Sequence, residues 1–128
     1  MDYLKLSDFE INKLVAEATG TQVEEIYQFV NGGEDIASHT SGIVLMRKIT
    51  SNRKHWKLYD PCNNPADAWP IITKHRISIE FDGDNSTNPQ TTWCHTANLG
   101  RTIGTEYQKN PLRAAMITFL MMQESQHA

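Results

Sequence analysis

Between Tyr59 and Ile72 the chain reads YDPCNNPADAWPII, and Asp60, Cys62, Asn63, Asn64 and Asp67 crowd together there. Residues of these types can do chemistry. A carboxylate pair, Asp60 and Asp67, can pass a proton, and Cys62 can attack a substrate once a histidine has taken its proton. A small hydrolase or nuclease built on Asp60, Asp67 and a histidine would need those groups within about 3 Å of one reacting atom or bridging water. The local pattern favours a plainer use. Asp60 precedes Pro61 and Asn64 precedes Pro65, positions where Asp and Asn side chains bond their own backbone. Asp60, Asn63, Asn64 and Asp67 are therefore expected to be turn and cap residues, with Trp69 anchoring the segment. If some of their hydrogen-bonding capacity is kept for a ligand, the binding set is Asp60, Asn63, Asn64, Asp67 and Trp69. No catalytic residue is assigned.

Other chemistry is weaker. Cys62, Cys94 and His95 could be combined with His39, His55 or His75 around a metal. Structural zinc sites bring ligands in close pairs, however. The adjacent pair Cys94-His95 would point to opposite faces of a strand, so no metal and no cofactor is expected. There is no Gly-x-Ser-x-Gly elbow and no glycine-rich phosphate loop after a strand. Ala16, Gly20 and Ile26 have helix-turn-helix spacing, but the would-be recognition helix carries Glu24 and Glu25 and no base, which argues against reading DNA. A better nucleic-acid candidate is the basic stretch Arg47, Lys48, Arg53, Lys54 and Lys57 around Trp56, with Tyr59 nearby. Strand alternation would turn Trp56 inward with Leu58 and leave Arg53, Lys54 and Lys57 on a solvated tip.

The elements that must hold these residues follow from bulk properties and periodicity. With 128 residues the chain has room for one domain with a modest core. A net charge of −3 gives no global attraction to nucleic acid or anionic membrane. The charge is uneven: Met1 to Thr40 holds eight acids against two bases, net −6, and Arg47 to Lys57 holds five bases and no acid. No apolar run reaches the roughly 18 residues of a membrane span, and the start MDYLKLSDFE does not read as a signal peptide. The expected location is the cytoplasm of a host cell, with Cys62 and Cys94 reduced.

Ser7 and Glu10 form a capping-box pattern opening a helix, with Ile11, Leu14, Val15 and Ala18 on its buried face and Gly20 ending it. Thr21 to Val30 reads as a second helix through Val23, Ile26, Tyr27 and Val30, against the strand alternative that Val, Ile, Tyr and Phe support. Asn31 to Ser41 reads as loop, Gly42 to Thr50 as a strand, and His55 to Asp60 as its hairpin partner across Ser51-Asn52. Pro70 to His75 reads as a short helix, Ile77 to Phe81 as a strand with one buried face, and Asp82 to Gln90 as a loop. Thr91 to Ala97 reads as the last strand. Asn110-Pro111 starts a final helix with the stripe Leu112, Ala115, Met116, Phe119 and Leu120. Residues 123–128 are expected to fray. Met121 and Met122 cannot share a face, so one is expected to be exposed, which would suit a partner or homodimer surface. The expected fold is α+β: helices around an antiparallel sheet of about four strands.

Two motifs, YDPCNNPADAWPII closely followed by IS, and NPLRAAMITFLMM, resemble the NinX family of lambdoid bacteriophages. LSDFEINKLVAEATG fits that family's opening helix, and Trp93 stands where the family places a tryptophan in a strand. The resemblance implies a small protein encoded by a phage or prophage. It implies no activity and brings no catalytic residues. Together with the missing catalytic constellations, it leads to the expectation of a non-enzymatic accessory module that binds a host or phage protein. The alternative is a nucleic-acid-binding factor using Arg53, Lys54 and Lys57.

Overall fold

The computed structural model describes residues 1–27, 43–48, 56–86, 88 and 90–127. A 3₁₀ turn, Tyr3–Lys5, leads into α1, Asp8–Thr19. Three strands follow: β1 Val23–Tyr27, β2 Ile43–Lys48 and β3 Trp56–Leu58. Next come α2 Pro65–His75, β4 Ser78–Gly83, β5 Thr92–Ala97, β6 Gly104–Gln108 and α3 Pro111–Gln126. Two antiparallel sheets are formed, in the orders β1-β2-β3 and β4-β5-β6. The fold is α+β as expected, with six strands among the described residues rather than about four. The added strand that sequence reading missed outright is β6, so Thr91–Ala97 is not the last.

α1 starts as its capping box dictates: Glu10 N–H donates to Ser7 Oγ at 3.1 Å, and the Glu10 carboxylate faces back to the Ser7 N–H. Gly20, at φ 71°, closes it in the left-handed conformation that glycine adopts without strain. The chain then turns into a strand, not a second helix. Val23, Ile26 and Tyr27 are β-branched or aromatic, and they find a partner in β2, with Val23 opposite Arg47 and Tyr27 opposite Ile43. The helix-turn-helix spacing of Ala16, Gly20 and Ile26 therefore runs across a helix, its cap and a strand. The expected Asn31–Ser41 loop and Ser51-Asn52 turn lie outside the described residues. The hairpin pairing is as expected, with Met46 opposite Leu58 and Arg47 opposite Lys57. Its facing is reversed. Leu45 and Tyr59 are buried with Ala16 against α1, and Leu58 is 44% exposed. The α1-facing side of β2 was already taken by Leu45, so Leu58, opposite Met46, falls on the other side.

α3 is the central element. From Ala114 to Leu120 every residue is buried, so the helix is enclosed rather than lying on the sheet by one stripe. Ile11 and Val15 of α1, Ile71 and Ile72 of α2, and Met116, Ile117, Phe119 and Leu120 make the main core. The other side of α3 meets β4-β5-β6 through hydroxyls. Thr96 Oγ1 lies 2.6 Å from Thr105 Oγ1 and 2.7 Å from Thr118 Oγ1, and donates to Ala114 O at 3.1 Å. These three buried threonines satisfy one another where an unpaired hydroxyl would be costly. Gly104 permits this sheet: a Cβ there would stand 2.1 Å from the Thr96 carbonyl oxygen.

Several expectations are corrected. The alternation Ile77–Phe81 fades outward, from buried Ile77 through half-buried Ile79 to Phe81 at 75% exposure, because β4 is an edge strand reaching past α3. Met121 and Met122 are both half-buried and packed on the core, so neither is the exposed methionine expected. α3 stays helical to Gln126, and Glu124, within the stretch expected to fray, accepts from the Tyr3 hydroxyl at 2.8 Å. That bond holds the Glu124 carboxyl below its usual range. Burial and then Glu124 push the Tyr3 phenol up to about 12.

His75 supplies a pH dependence. Its ring lies 4.7 Å from that of Phe119, and burial, then Lys74, lower its pKa from the ordinary 6.5. The folded state thus prefers the neutral imidazole. Its contribution is complete above the unfolded value and is lost as pH falls through the folded one. The melting temperature is expected to fall between about pH 7 and pH 5, and His75→Gln to flatten that fall, measured by thermal unfolding across the range.

Candidate functional site

The Tyr59–Trp69 segment joins β3 to α2. Tyr59 N–H donates to Leu45 O at 2.8 Å, the last rung of the β2–β3 pairing, and its ring is buried. Burial pushes its phenol up, with the Thr19 and Thr21 hydroxyls partly offsetting this. The chain then turns over Pro61 and Cys62: the N–H groups of Asn63 and Asn64 donate to Asp60 O at 3.0 and 2.7 Å. Asn64 Oδ1 accepts from Ala66 N–H at 3.0 Å and so caps α2, with Pro65 at its first position. The helix begins at Pro65, not at Pro70, which sits inside it. Asn64-Pro65 has the same cap-then-proline form that Asn110-Pro111 uses.

The side chains of the segment reach well beyond their own backbone. Asp67 is buried, and its Oδ2 accepts from Asp60 N–H at 2.9 Å. Asp60 Oδ1 accepts from Asn12 Nδ2 at 2.8 Å, and Asn12 Oδ1 accepts from the buried Cys62 N–H at 3.0 Å. Asn63 Nδ2 donates to Asp8 Oδ2 at 3.0 Å and to both oxygens of Asp60 at 3.2 Å. Asn110 caps α3 by accepting from the N–H groups of Leu112 and Arg113. Its Nδ2 donates to Cys62 O at 2.9 Å and Asn63 Oδ1 at 3.1 Å. Arg113 closes the network, donating to Asp8 Oδ1 at 2.7 Å and to the carbonyls of Leu4 and Leu6.

The N-termini of α1, α2 and α3 are therefore stitched together at one place. Helix N-termini carry unpaired N–H groups and the positive end of the helix dipole, so Asp8, Asp60 and Asp67 are favourably placed there as structural anions. Asp60 and Asp67 meet through a backbone N–H, not as two carboxylates sharing a proton. The expectation of turn and cap roles is right for Asn64 and Asp67, which bond the segment's own backbone, and too narrow for Asp60 and Asn63, which also bond Asn12, Asp8 and Asn110.

Trp69 is the exception. It is 61% exposed and does not anchor the segment. Ala66, Trp69, Pro70 and Thr73, spaced along one face of α2, are all exposed and uncharged. Sequence reasoning missed Asn12, Asp8 and the Asn110 amide as partners of the segment. The signal available was Asn12 itself, an amide on the face of α1 that carries Val15 and Ala16.

Cys62 is no ready nucleophile. Burial, then Asp8, push its thiol well up, and reactivity needs the thiolate. Burial likewise raises Cys94. Both cysteines are free and buried. Ellman's reagent is expected to titrate neither in the native protein at neutral pH and both in denaturant, and a thiol reacting natively would contradict this burial. Among the described residues no group of three or more His, Cys, Asp or Glu side chains is placed to hold a metal. Of the basic hairpin, Arg47 and Lys57 are exposed and directly opposed, and Arg53 and Lys54 lie outside the described residues. No helix among the described residues is long and apolar enough to cross a membrane.

No curated protein and no solved structure matches the chain. The family model described as bacteriophage P22 NinX matches residues 2–123, which include all three stitched helix N-termini and every residue of the Tyr59–Trp69 segment. The chain belongs to the bacteriophage P22 NinX family.

Proposed function

We propose that this phage protein is a non-enzymatic accessory module that binds another protein, of host or phage origin, in the cytoplasm of the infected cell. The observation that carries the reading is the contrast within one segment. Asp60 and Asn63 bond Asn12 and Asp8 of α1 and Asp67 bonds the backbone of Asp60, whereas Trp69 stands 61% exposed on an uncharged helix face. Tryptophan supplies much of the energy of protein interfaces when it enters a partner's pocket, and a rigid helix face presents it at low entropic cost.

Benzoylphenylalanine placed at position 69 and photolysed in infected cells is expected to give a discrete protein adduct. The same probe at exposed Gln22 is expected to give none. No adduct above that control would contradict the reading. Trp69→Ala is expected to leave the melting temperature within about 2 °C, since surface changes cost at most about half a kcal/mol, and to abolish co-purification of the adducted protein.

One observation favours a second reading, nucleic-acid binding by the hairpin. Arg47 and Lys57 face each other across β2 and β3, and like charges so placed repel unless an anion lies between them. Salt-dependent retention on single-stranded DNA, lost on changing Arg53, Lys54 and Lys57 to Glu, would support it. The protein-binding reading expects no such retention.

A further inference from the structure

The outer face of the sheet β4-β5-β6, opposite α3, carries a ring cluster. Trp93 lies opposite Asp82 and His95 opposite Glu80 in the strand register, so these four share the face turned away from buried Cys94 and Thr96. The Tyr107 ring centroid is 5.7 Å from that of Trp93 and 5.5 Å from that of His95, with the rings tilted by 52° and 72°. Asp82 Oδ2 lies 3.5 Å from His95 Nε2, and Glu80 is bonded by Arg101. A cleft of about 450 Å³ adjoins Trp93, between Asp82, Asp84 and Lys109.

Tyr107 is held at a cost. The pairing of β5 with β6 shifts between Cys94 and Thr96, so that Glu106 and Tyr107 together oppose His95 in a β-bulge. Tyr107 there has φ 58°, the left-handed region where glycine is favoured. The ring that the backbone strains to present is 68% exposed and so adds little to the core. Strain kept at an exposed aromatic points to use of the side chain rather than to folding.

We infer that this face binds a cationic, arginine- or lysine-bearing peptide segment of a protein partner. Tilted aromatic faces attract cations through their quadrupoles, and a neighbouring carboxylate adds charge pairing. The charges around the cluster agree: Glu80, Asp82, Asp84 and Glu106 stand against Arg101 and Lys109, and Arg101 is taken by Glu80. The acids also oppose a nucleic-acid backbone here. This inference rests on the protein-binding reading for its class of partner, but not on the Trp69 face.

Oligo-arginine and oligo-lysine peptides, with oligo-glutamate as control, test it by calorimetric titration and by the indole N–H resonance of Trp93. The oligocations are expected to bind saturably and shift that resonance, and oligo-glutamate to do neither. Tyr107→Gly is expected to weaken binding roughly tenfold while leaving the melting temperature unchanged or higher, because the strain is relieved. Asp82→Asn, which keeps every ring, is expected to weaken it as well. Trp69→Ala is expected to bind normally, so failure of the α2 contact and failure of this face are separable. Three results would each overturn the inference: no binding by the unaltered protein, binding undiminished in Tyr107→Gly, or retention of oligo-thymidylate on this face. A lower melting temperature in Tyr107→Gly would also overturn it, by making the ring a packing element.

Discussion

Asn12→Leu is expected to destabilise the protein by about 3 kcal/mol and to lower its melting temperature by roughly 10 °C. Leucine matches asparagine in shape but has neither its donor nor its acceptor. Asn12 is 5% exposed and bridges Asp60 Oδ1 and the Cys62 N–H. Its loss leaves a backbone N–H buried without a partner, at a cost of about 1–3 kcal/mol. It also removes a hydrogen bond to a carboxylate, worth about 1.5–3 kcal/mol. A hydrophobic residue on the buried face of α1 would ordinarily be harmless or helpful. The sign of this substitution therefore distinguishes a polar junction from a generic core position. Urea and thermal unfolding measure it directly.

Phe119→Ala is expected to cost about 4 kcal/mol, within the range for removing a buried aromatic ring. Phe119 is 1% exposed at the middle of α3, packed with the residues of α1 and α2 and against His75. Because α3 is enclosed on both sides, its neighbours cannot collapse into the void without moving a helix or the sheet. Phe119→Leu is expected to cost about 1–2 kcal/mol, since most of the volume is kept. Set against a typical stability of about 5–15 kcal/mol for a domain, the alanine substitution removes roughly a quarter to four-fifths of the folding free energy.

Much of this architecture is legible in the residues themselves. The capping box at Ser7, the left-handed stop at Gly20 and the Asn110-Pro111 start of α3 are local signals, and all three appear as expected. Where two local signals competed, tertiary pairing decided. Val23–Tyr27 has apolar positions compatible with a helix, but β2 was available as a partner and the segment pairs with it. Asn64-Pro65 was overlooked as a helix start because Pro70 offered a second, later one. β6 escaped notice because GTEYQ holds little apolar sequence and is defined by its pairing with β5, which only Gly104 allows.

The candidate site was legible as a place but not as a mechanism. Its composition marked the segment at once. Nothing in the order of residues 59–69 could say that Asn12, Asp8 and Asn110, from elsewhere in the chain, would consume its hydrogen bonds. The exposure of Trp69 was likewise set from outside: α2 buries Asp67, Ala68, Ile71 and Ile72, which leaves position 69 on the opposite face.

The central claim is that the polar segment is a structural junction binding the helix N-termini together, not a free ligand pocket. The most direct test is a double-mutant cycle between Asn12 and Asp60, read by urea unfolding of Asn12→Ala, Asp60→Ala and the double variant. The junction predicts a coupling energy of about 1.5 kcal/mol or more, the double variant costing less than the two single changes together. Additive costs, with a coupling near zero, would contradict it.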